Sequence, residues 1–529
     1  MLDLIIKNAV IAAGTGAPGY KADIGVAGGK IACIKQSLDS AAEILDAAGL
    51  VAAPGFIDTH THSDRSVING SDAYNYLEQG VTTQVAGQCG SSLAPFYSGG
   101  GPSDDINPEE LERARAICDT PSSFMKYASA TAFGTNMGFL LSHGALRRRV
   151  MGYSYAKPTG QQMSSMKDIL TEAMESGFLG YSSGLGYAPS AYADTQELIA
   201  LARVIAPYGG CYTSHIRGEG DTVEESVAEA IRVGEEGGTS VIISHLKVCG
   251  KRNEGKSQKL LRMIEAANMR VVKVRADQYP FCAGSAPLAD QIPPKFHVGG
   301  MDALLDRLRN PDTRKLMLDA INNRADAFES CIYGAGFDGT MVVESPKNPS
   351  YIGKNIAQIA NEQGKSPMDA FCDILIENAG MGQGIYFSQN ESDMLRIIAH
   401  PYVVGGSDWS DFTRRHDPEK AGGCHPRATS TFVRRLMILS NRKLLSMEAA
   451  IKGVTSSAAE ALNLKDHGLL KEGFPANITI LNYNQLKANA DYLHPYRRNE
   501  GIEYVIVNGQ IAVRNGTATG IKAGKVIKR

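Results

Sequence analysis

Residues 54–64 read PGFIDTHTHSD: an apolar pair, Phe56 and Ile57, followed by Asp58, His60 and His62 at alternate positions. A strand alternates its faces with period two, so in an extended chain the two imidazoles share one face and Asp58 shares their parity. A His-x-His at a strand end offers two nitrogen ligands to one ion. The alternative is two surface histidines beside a turn. The choice depends on whether the rest of the chain builds a frame that brings further ligands to the same point.

The 529 residues exceed an ordinary single domain and suit one large α/β barrel with a smaller companion. Apolar residues make up 43% and charged residues 21%, a globular composition. Lys and Arg number 54 against 56 Asp and Glu, a net charge of −2, which argues against a nucleic-acid or membrane-surface partner. The nine cysteines are scattered, with no CxxC pair, and read as reduced thiols of a cytoplasmic protein. The opening MLDLIIKNAVIAAG carries Asp3 and Lys7 within its apolar stretch and has no basic lead, so it is a poor signal peptide. No run of about 18 apolar residues predicts a transmembrane helix.

Short β-rich runs at the start, LIIKNAVI, ADIGVAGGKIACI and LVAAPGF, read as hairpins. The tail repeats the style in ANITILNY and IEYVIVNGQIAVRNG, where Asn508-Gly509 is a hairpin turn signal. Between the ends, strand-like runs fall at 54–60, 81–86, 137–143, 179–184, 210–216, 240–246, 271–279 and 402–408. Helical periodicity separates several of them, as in DTVEESVAEAIRVGEEG and SQKLLRMIEAANMR. Eight strands with intervening helices predict a closed (β/α)8 barrel, an α/β fold of the TIM type. Residues 282–350 are too long for a simple connection and predict a lid-like insertion.

Other strand-like runs also end in metal-ligating residue types. GGCYTSHIRGEGD carries His215, TSVIISHLKVCG carries His245, and IAHPYVVGGSDWSDF carries Asp408 after two glycines. In a barrel the C-terminal strand ends hold the active site. A His-x-His, two further histidines and an aspartate at such ends make a zinc constellation. His143 in LLSHGALR also ends a strand and reads as structural or as part of the rim.

The set and order of PGFIDTHTHSD, GVTTQVAGQCGSS, GYSSGLGYAPS, TSHIRGE, ISHLKVCG, DQYPFCAGS and GGSDW…HPRATSTF resemble the amidohydrolase superfamily, and within it the N-acyl-D-amino-acid deacylases, over residues 54 to 435. The resemblance implies a split β-sandwich domain from residues 1–53 and 466–529, flanking a barrel over 54–465. Many two-metal relatives bridge their ions with a strand-4 lysine, but GYSSGLGY has none, and the deacylases use a cysteine after strand 2, which Cys89 matches. By the same resemblance Cys89, His215 and His245 hold a tight zinc, and His60, His62 and a shared Cys89 form a weaker second site. Asp408 would be the general base and acid, and Asp58 would orient a ligand imidazole. Lys247 and Tyr279 match residues that grip the α-carboxylate of an N-acyl-D-amino acid, a small-molecule substrate, with Arg217 and Arg427 as further candidates.

The chain departs from the family at Gln88, where asparagine is usual, at YAPS, and in the span RRHDPEKAGGC. Two other functions fit the metal pattern less well: a cyclic-amide hydrolase of the dihydroorotase or hydantoinase kind, and an inactive barrel serving as a binding module. The lysine-free strand 4 and Cys89 oppose the first, and a complete ligand set opposes the second.

Overall fold

The structure, a computed structural model, describes residues 1–97, 108–270, 272–324, 328–412 and 423–529. Eight parallel strands form the centre: β1 (Phe56–Asp58), β2 (Val81–Ala86), β3 (Asn136–Phe139), β4 (Gly180–Gly184), β5 (Cys211–His215), β6 (Ser240–Ile243), β7 (Val274–Gln278) and β8 (Val403–Gly405). Each falls within or overlaps one of the predicted runs. The run at 271–279 begins at a residue outside the described ones. β1 pairs with β2 and β2 with β3, while β4 to β8 pair in order. Leu141–Ser142, just past β3, pairs with β4 and joins the two groups. The ring closes between β8 and β1, where Asp408 N donates to His60 O at 2.9 Å and His62 N to Trp409 O at 2.8 Å.

Period-two alternation sorts the strand residues between two cores. Ile57, Val85, Leu140, Leu179, Cys211, Ile242 and Val404 lie in or beside seven of the strands and form one buried cluster. Residues from so many strands meet only inside the ring. Ala458, Leu462 and Ile527 join that cluster and close one end. The intervening positions, such as Tyr212, Val241 and Ile243, pack in a second cluster with Leu198, Val227 and Leu260 of the surrounding helices. These helices carry apolar residues at helical spacing, as in Thr195–Ile205, Val223–Gly237 and Ser257–Asn268, and bury that face on the strands.

Both chain ends share a single nine-stranded sheet. Val51–Pro54 pairs antiparallel with Ile478–Leu481, which joins the N-terminal strands to the C-terminal ones. The sheet curls: Ile31 N donates to Phe474 O at 2.9 Å and Gly473 N to Ile31 O at 2.8 Å. Leu4, Ile6, Ile24, Ile31, Ile478 and Ile506 fill the space within. The last residues leave this sheet. Met137 bridges to Val526, and buried Ile527 packs in the barrel cluster, so the tail end belongs with the barrel rather than with the flanking sheet.

The insertion after β7 runs further than the predicted 282–350. Its three-stranded sheet has Gln383–Tyr386 at the centre, between Gly284–Pro287 and Thr340–Glu344. Its helices, among them Met301–Leu308 and Pro367–Glu377, bury a core of their own around Leu304, Leu308, Phe371 and Leu375. The central strand is therefore the last to arrive in sequence, and a window ending near 350 omits it. No described helix is long and apolar enough to cross a membrane.

Candidate metal centre

Six side chains from five strand ends converge at one mouth of the barrel. His60 and His62 follow β1, Cys89 follows β2, His215 ends β5, His245 follows β6 and Asp408 follows β8. Two ligand groups result: His60, His62, Cys89 and Asp408, and Cys89, His215 and His245, with all ligand atoms of a group within 4.8 Å of one another. Cys89 Sγ lies 3.2 Å from His60 Nε2 and 3.3 Å from His245 Nε2. His215 Nδ1 is 2.8 Å from His245 Nε2. Asp408 Oδ1 is 3.1 Å from His62 Nε2 and 3.4 Å from His60 Nε2.

These residues fit zinc by chemistry and by spacing. Zinc bonds of about 2.0–2.3 Å at tetrahedral angles hold ligand atoms roughly 3.3–3.7 Å apart, close to the separations found. The ligand form of cysteine is the thiolate. Burial alone raises the Cys89 thiol, but the charges of His60 and His245 and the hydrogen bonds of His215 and His245 hold it well below its ordinary value. Burial likewise opposes charge on His62, yet Asp408 and Cys89 outweigh it and raise that imidazole to about 9. Burial pushes Asp408 up, and Arg427, His245, His60 and His62 together hold it well below the carboxylate range.

Backbone conformation places three of these side chains. Cys89, His245 and Asp408 have φ of 51°, 35° and 55°, the left-handed region that costs a non-glycine residue of order 1 kcal/mol or more. Each follows a strand that ends two or three residues earlier, so the left-handed turn rather than strand parity aims the ligand. Gly90, beside Cys89, has φ +69°, and a Cβ there would stand 2.4 Å from Gly184 N. No other residue type allows the Cys89 loop to lie so close to β4.

Carboxylates behind the ligands fix their rings. Asp277 Oδ2 lies 3.2 Å from His60 Nδ1, while Asp277 Oδ1 accepts from His245 N at 2.7 Å. Glu219 Oε1 lies 3.0 Å from His245 Nδ1 and 2.5 Å from Lys247 Nζ. Burial would raise Glu219, but Lys247, His215 and His245 hold it well below its ordinary range. Asp58 does something other than predicted. Its Oδ1 accepts from the backbone N–H groups of His60 and Ser407, and the carboxylate on the His60 ring is that of Asp277. Gln88, the unusual neighbour of Cys89, donates to Thr59 O at 2.7 Å and accepts from Thr213 Oγ1 at 2.8 Å. It ties β1 to β5 and leaves the ligands untouched.

A cavity of about 460 Å³ opens over the cluster. Lys247, Tyr279 and Arg427 line it with Cys89, His215 and Asp408, and the insertion contributes Ser285, Asp290, Cys331 and Tyr386. Tyr279 is fully buried, and its hydroxyl has no hydrogen-bond partner among the described residues. Arg427 Nη1 stands 2.8 Å from Asp408 Oδ2, an ion-pair distance without hydrogen-bond alignment, and its Nη2 donates to Ser285 O. Lys247 is less free than predicted, because Glu219 already takes its charge. Arg217 does not reach the cavity. Its guanidinium pairs with Glu229 at 3.0 Å and donates to Ala191 O and Ala193 O. The chain leaves β5 at His215, so the two-residue parity linking His215 and Arg217 lapses. His143 is buried between Ser190 and Glu197, in the structural place predicted for it.

Residues 43–513 match the pattern of the amidohydrolase family. The chain belongs to that family. D-aminoacylase of Alcaligenes xylosoxydans xylosoxydans is 32% identical over 100% of this chain and 98% of its own length. The structure of N-acyl-D-glutamate deacylase from Bordetella bronchiseptica, complexed with zinc and a phosphonate inhibitor, is 28% identical, with a TM-score of 0.81 over 100% of both chains. L-hydantoinase of Arthrobacter aurescens, at 15% identity and a TM-score of 0.59 over 100% of both chains, shares the fold.

Sequence reasoning missed two residues that position ligands in this amidohydrolase, Asp277 and Glu219. Each carried a local signal. Asp277 sits two positions before Tyr279 on the strand VRADQ, and Glu219 follows His215 in HIRGEGD. A carboxylate near a ligand histidine is the usual orienting partner. Distance in sequence, 217 residues between Asp277 and His60, hid the first.

Proposed function

We propose that this amidohydrolase hydrolyses the amide bond of N-acyl-D-amino acids, releasing a carboxylate and a free D-amino acid. The observation that carries the reading is the pair of ligand groups sharing Cys89, with Asp408 facing them at the floor of the cavity. Cys89, His215 and His245 would hold one zinc ion, and His60 and His62 with Cys89 a second. When bound there, zinc polarises a carbonyl and lowers the pKa of water.

The residues of the chain supply the remainder. Asp408, held ionised by Arg427 and the histidines, takes a proton from the attacking water and passes it to the departing amine nitrogen. Asp277 and Glu219 keep His60 and His245 in register. Tyr279 and Arg427 grip the α-carboxylate: one has an unpartnered hydroxyl, and the other has a guanidinium whose Nε is unpartnered. Lys247 holds Glu219, which in turn holds the His245 ring. Preference for the D-isomer rests on the named relatives. The nine cysteines are all free, the state a reducing cytosol maintains, which supports a cytoplasmic location.

The test combines metal analysis with product release from paired N-acetyl-D- and N-acetyl-L-amino acids. We expect at least one zinc per chain and release from the D-series. Ring-opening of hydantoins without deacylation would overturn the assignment in favour of a cyclic-amide hydrolase, and a folded, zinc-loaded protein inert on both would favour a binding module.

A further inference from the structure

Two carboxyls lining the substrate cavity, Asp290 and Glu344, take no part in the metal centre or its supports. Asp290 lies on the short turn Ala289–Gln291 of the insertion and lines the cavity together with Cys89, His215 and Tyr279. The other charged groups near the metal cluster are committed: Lys247 to Glu219, and Arg427 to Asp408. Asp290 has no ion pair or side-chain hydrogen bond among the described residues, although Arg148 lines the same cavity. Burial alone raises its carboxyl to about 7.

Its turn is held beside Cys331, whose backbone N–H donates to Gln291 Oε1 at 2.7 Å, and Tyr187, Cys331 and Tyr386 line the cavity with it. Tyr187 packs on His215, with ring centroids 4.4 Å apart. Tyr279, which follows β7, lies under Arg427, whose guanidinium is 4.8 Å from its ring centroid. That part of the cavity suits the α-carboxylate. Asp290 lines the cavity together with Tyr187 and Cys331.

An amide held at the metal centre with its α-carboxylate at Tyr279 leaves a side chain and an acyl group to place. Of the relatives named above, one is named for D-glutamate and the other for no particular side chain. Resting on the deacylase reading, we infer that Asp290 selects the substrate's side chain, favouring a cationic one such as the ammonium of D-lysine and rejecting the acidic side chains of D-aspartate and D-glutamate. Asp290 is half-buried and lacks a partner, and an incoming ammonium supplies the charge and the donors it lacks. An acidic side chain brings no counter-charge and would itself lose water beside a second carboxyl.

The experiment compares Nα-acetyl-D-lysine, N-acetyl-D-norleucine and N-acetyl-D-glutamate on the zinc-loaded wild type, Asp290→Asn and Asp290→Ala. Norleucine matches the lysine chain without its charge. We expect wild-type kcat/KM to favour D-lysine over D-norleucine by about 10-fold or more, with D-glutamate poorest, as for a charge-assisted contact. Both variants should lose that preference through KM while keeping their turnover of D-norleucine. Zinc content and melting temperature check that they are folded. An unchanged lysine preference in both folded variants, or a wild type that turns over D-glutamate as well as D-lysine, overturns the assignment of Asp290 and leaves the deacylase reading standing. No release from any of the three overturns that reading and this inference with it.

Discussion

Removing the Cys89 sulfur takes a ligand from both metal groups at once. Cys89→Ala should therefore purify with less than one zinc per chain and without deacylase activity, as read by elemental analysis beside the release assay; full zinc and turnover would reduce Cys89 to a packed thiol. Asp408→Asn differs, because Cys89, His215 and His245 remain. It should keep most of the metal and lose on the order of 10²-fold or more in kcat, the scale of a lost acid–base group. Normal turnover in that variant would assign the base elsewhere. Lys247 and Tyr279 separate in the same way. Tyr279 offers an unpartnered hydroxyl, so Tyr279→Phe should raise KM by roughly 10-fold with kcat nearly kept, and should matter little for substrates whose carboxylate is amidated. Lys247→Met leaves Glu219 unbalanced against His245 and should lower kcat as well, on acid and amide substrates alike. If both variants shifted KM alone, Lys247 would be gripping the carboxylate directly.

Between elements, buried charge pins helices that the apolar pattern only brings near. Arg147, on helix His143–Met151, is fully buried, with Nη1 2.6 Å from Glu197 Oε2 on helix Thr195–Ile205. Burial raises Glu197, but His143 and Arg147 outweigh it and lower its carboxyl below the ordinary 4.5. A carboxyl lowered by folding stabilises the protein fully above its unfolded value, and the gain disappears as pH falls through the folded value. Glu197→Gln strands Arg147 and should cost about 3–5 kcal/mol at pH 7. The gap in melting temperature between wild type and variant should then narrow below about pH 4.5, where the wild type also loses the pair. A gap that stays constant down to pH 3 would show that shape, and not charge, joins these helices. Arg217 plays a comparable part through Glu229, pinning the exit of β5 to helix Val223–Gly237.

Across the whole molecule, the metal centre joins five strand ends, so loading it should stabilise the barrel globally. Metal at 100 to 1,000 times its dissociation constant adds roughly 2.7–4.1 kcal/mol, and chelation should lower the melting temperature while zinc restores it. Identical melting curves with and without chelator would mean that the ions add nothing to the fold. The sequence by itself determined the barrel and singled out most of the candidate ligands. Strand alternation, the helical stripes between strands and histidines at strand ends are local patterns, and His60, His62, His215, His245 and Asp408 stood out by position alone. Cys89 needed the family resemblance, because it lies in a loop beyond its strand. Tertiary structure alone decided the partners. Asp277 reaches His60 across 217 residues, Glu219 rather than substrate holds Lys247, and Asp58 holds backbone instead of an imidazole. It also set the extent of the insertion, whose central strand is the last to arrive, and turned Arg217 away once β5 had ended. The physical reason is common to all of these. Periodicity records which face of an element is buried, whereas hydrogen bonds and ion pairs depend on which distant atoms the closed ring brings within about 3 Å.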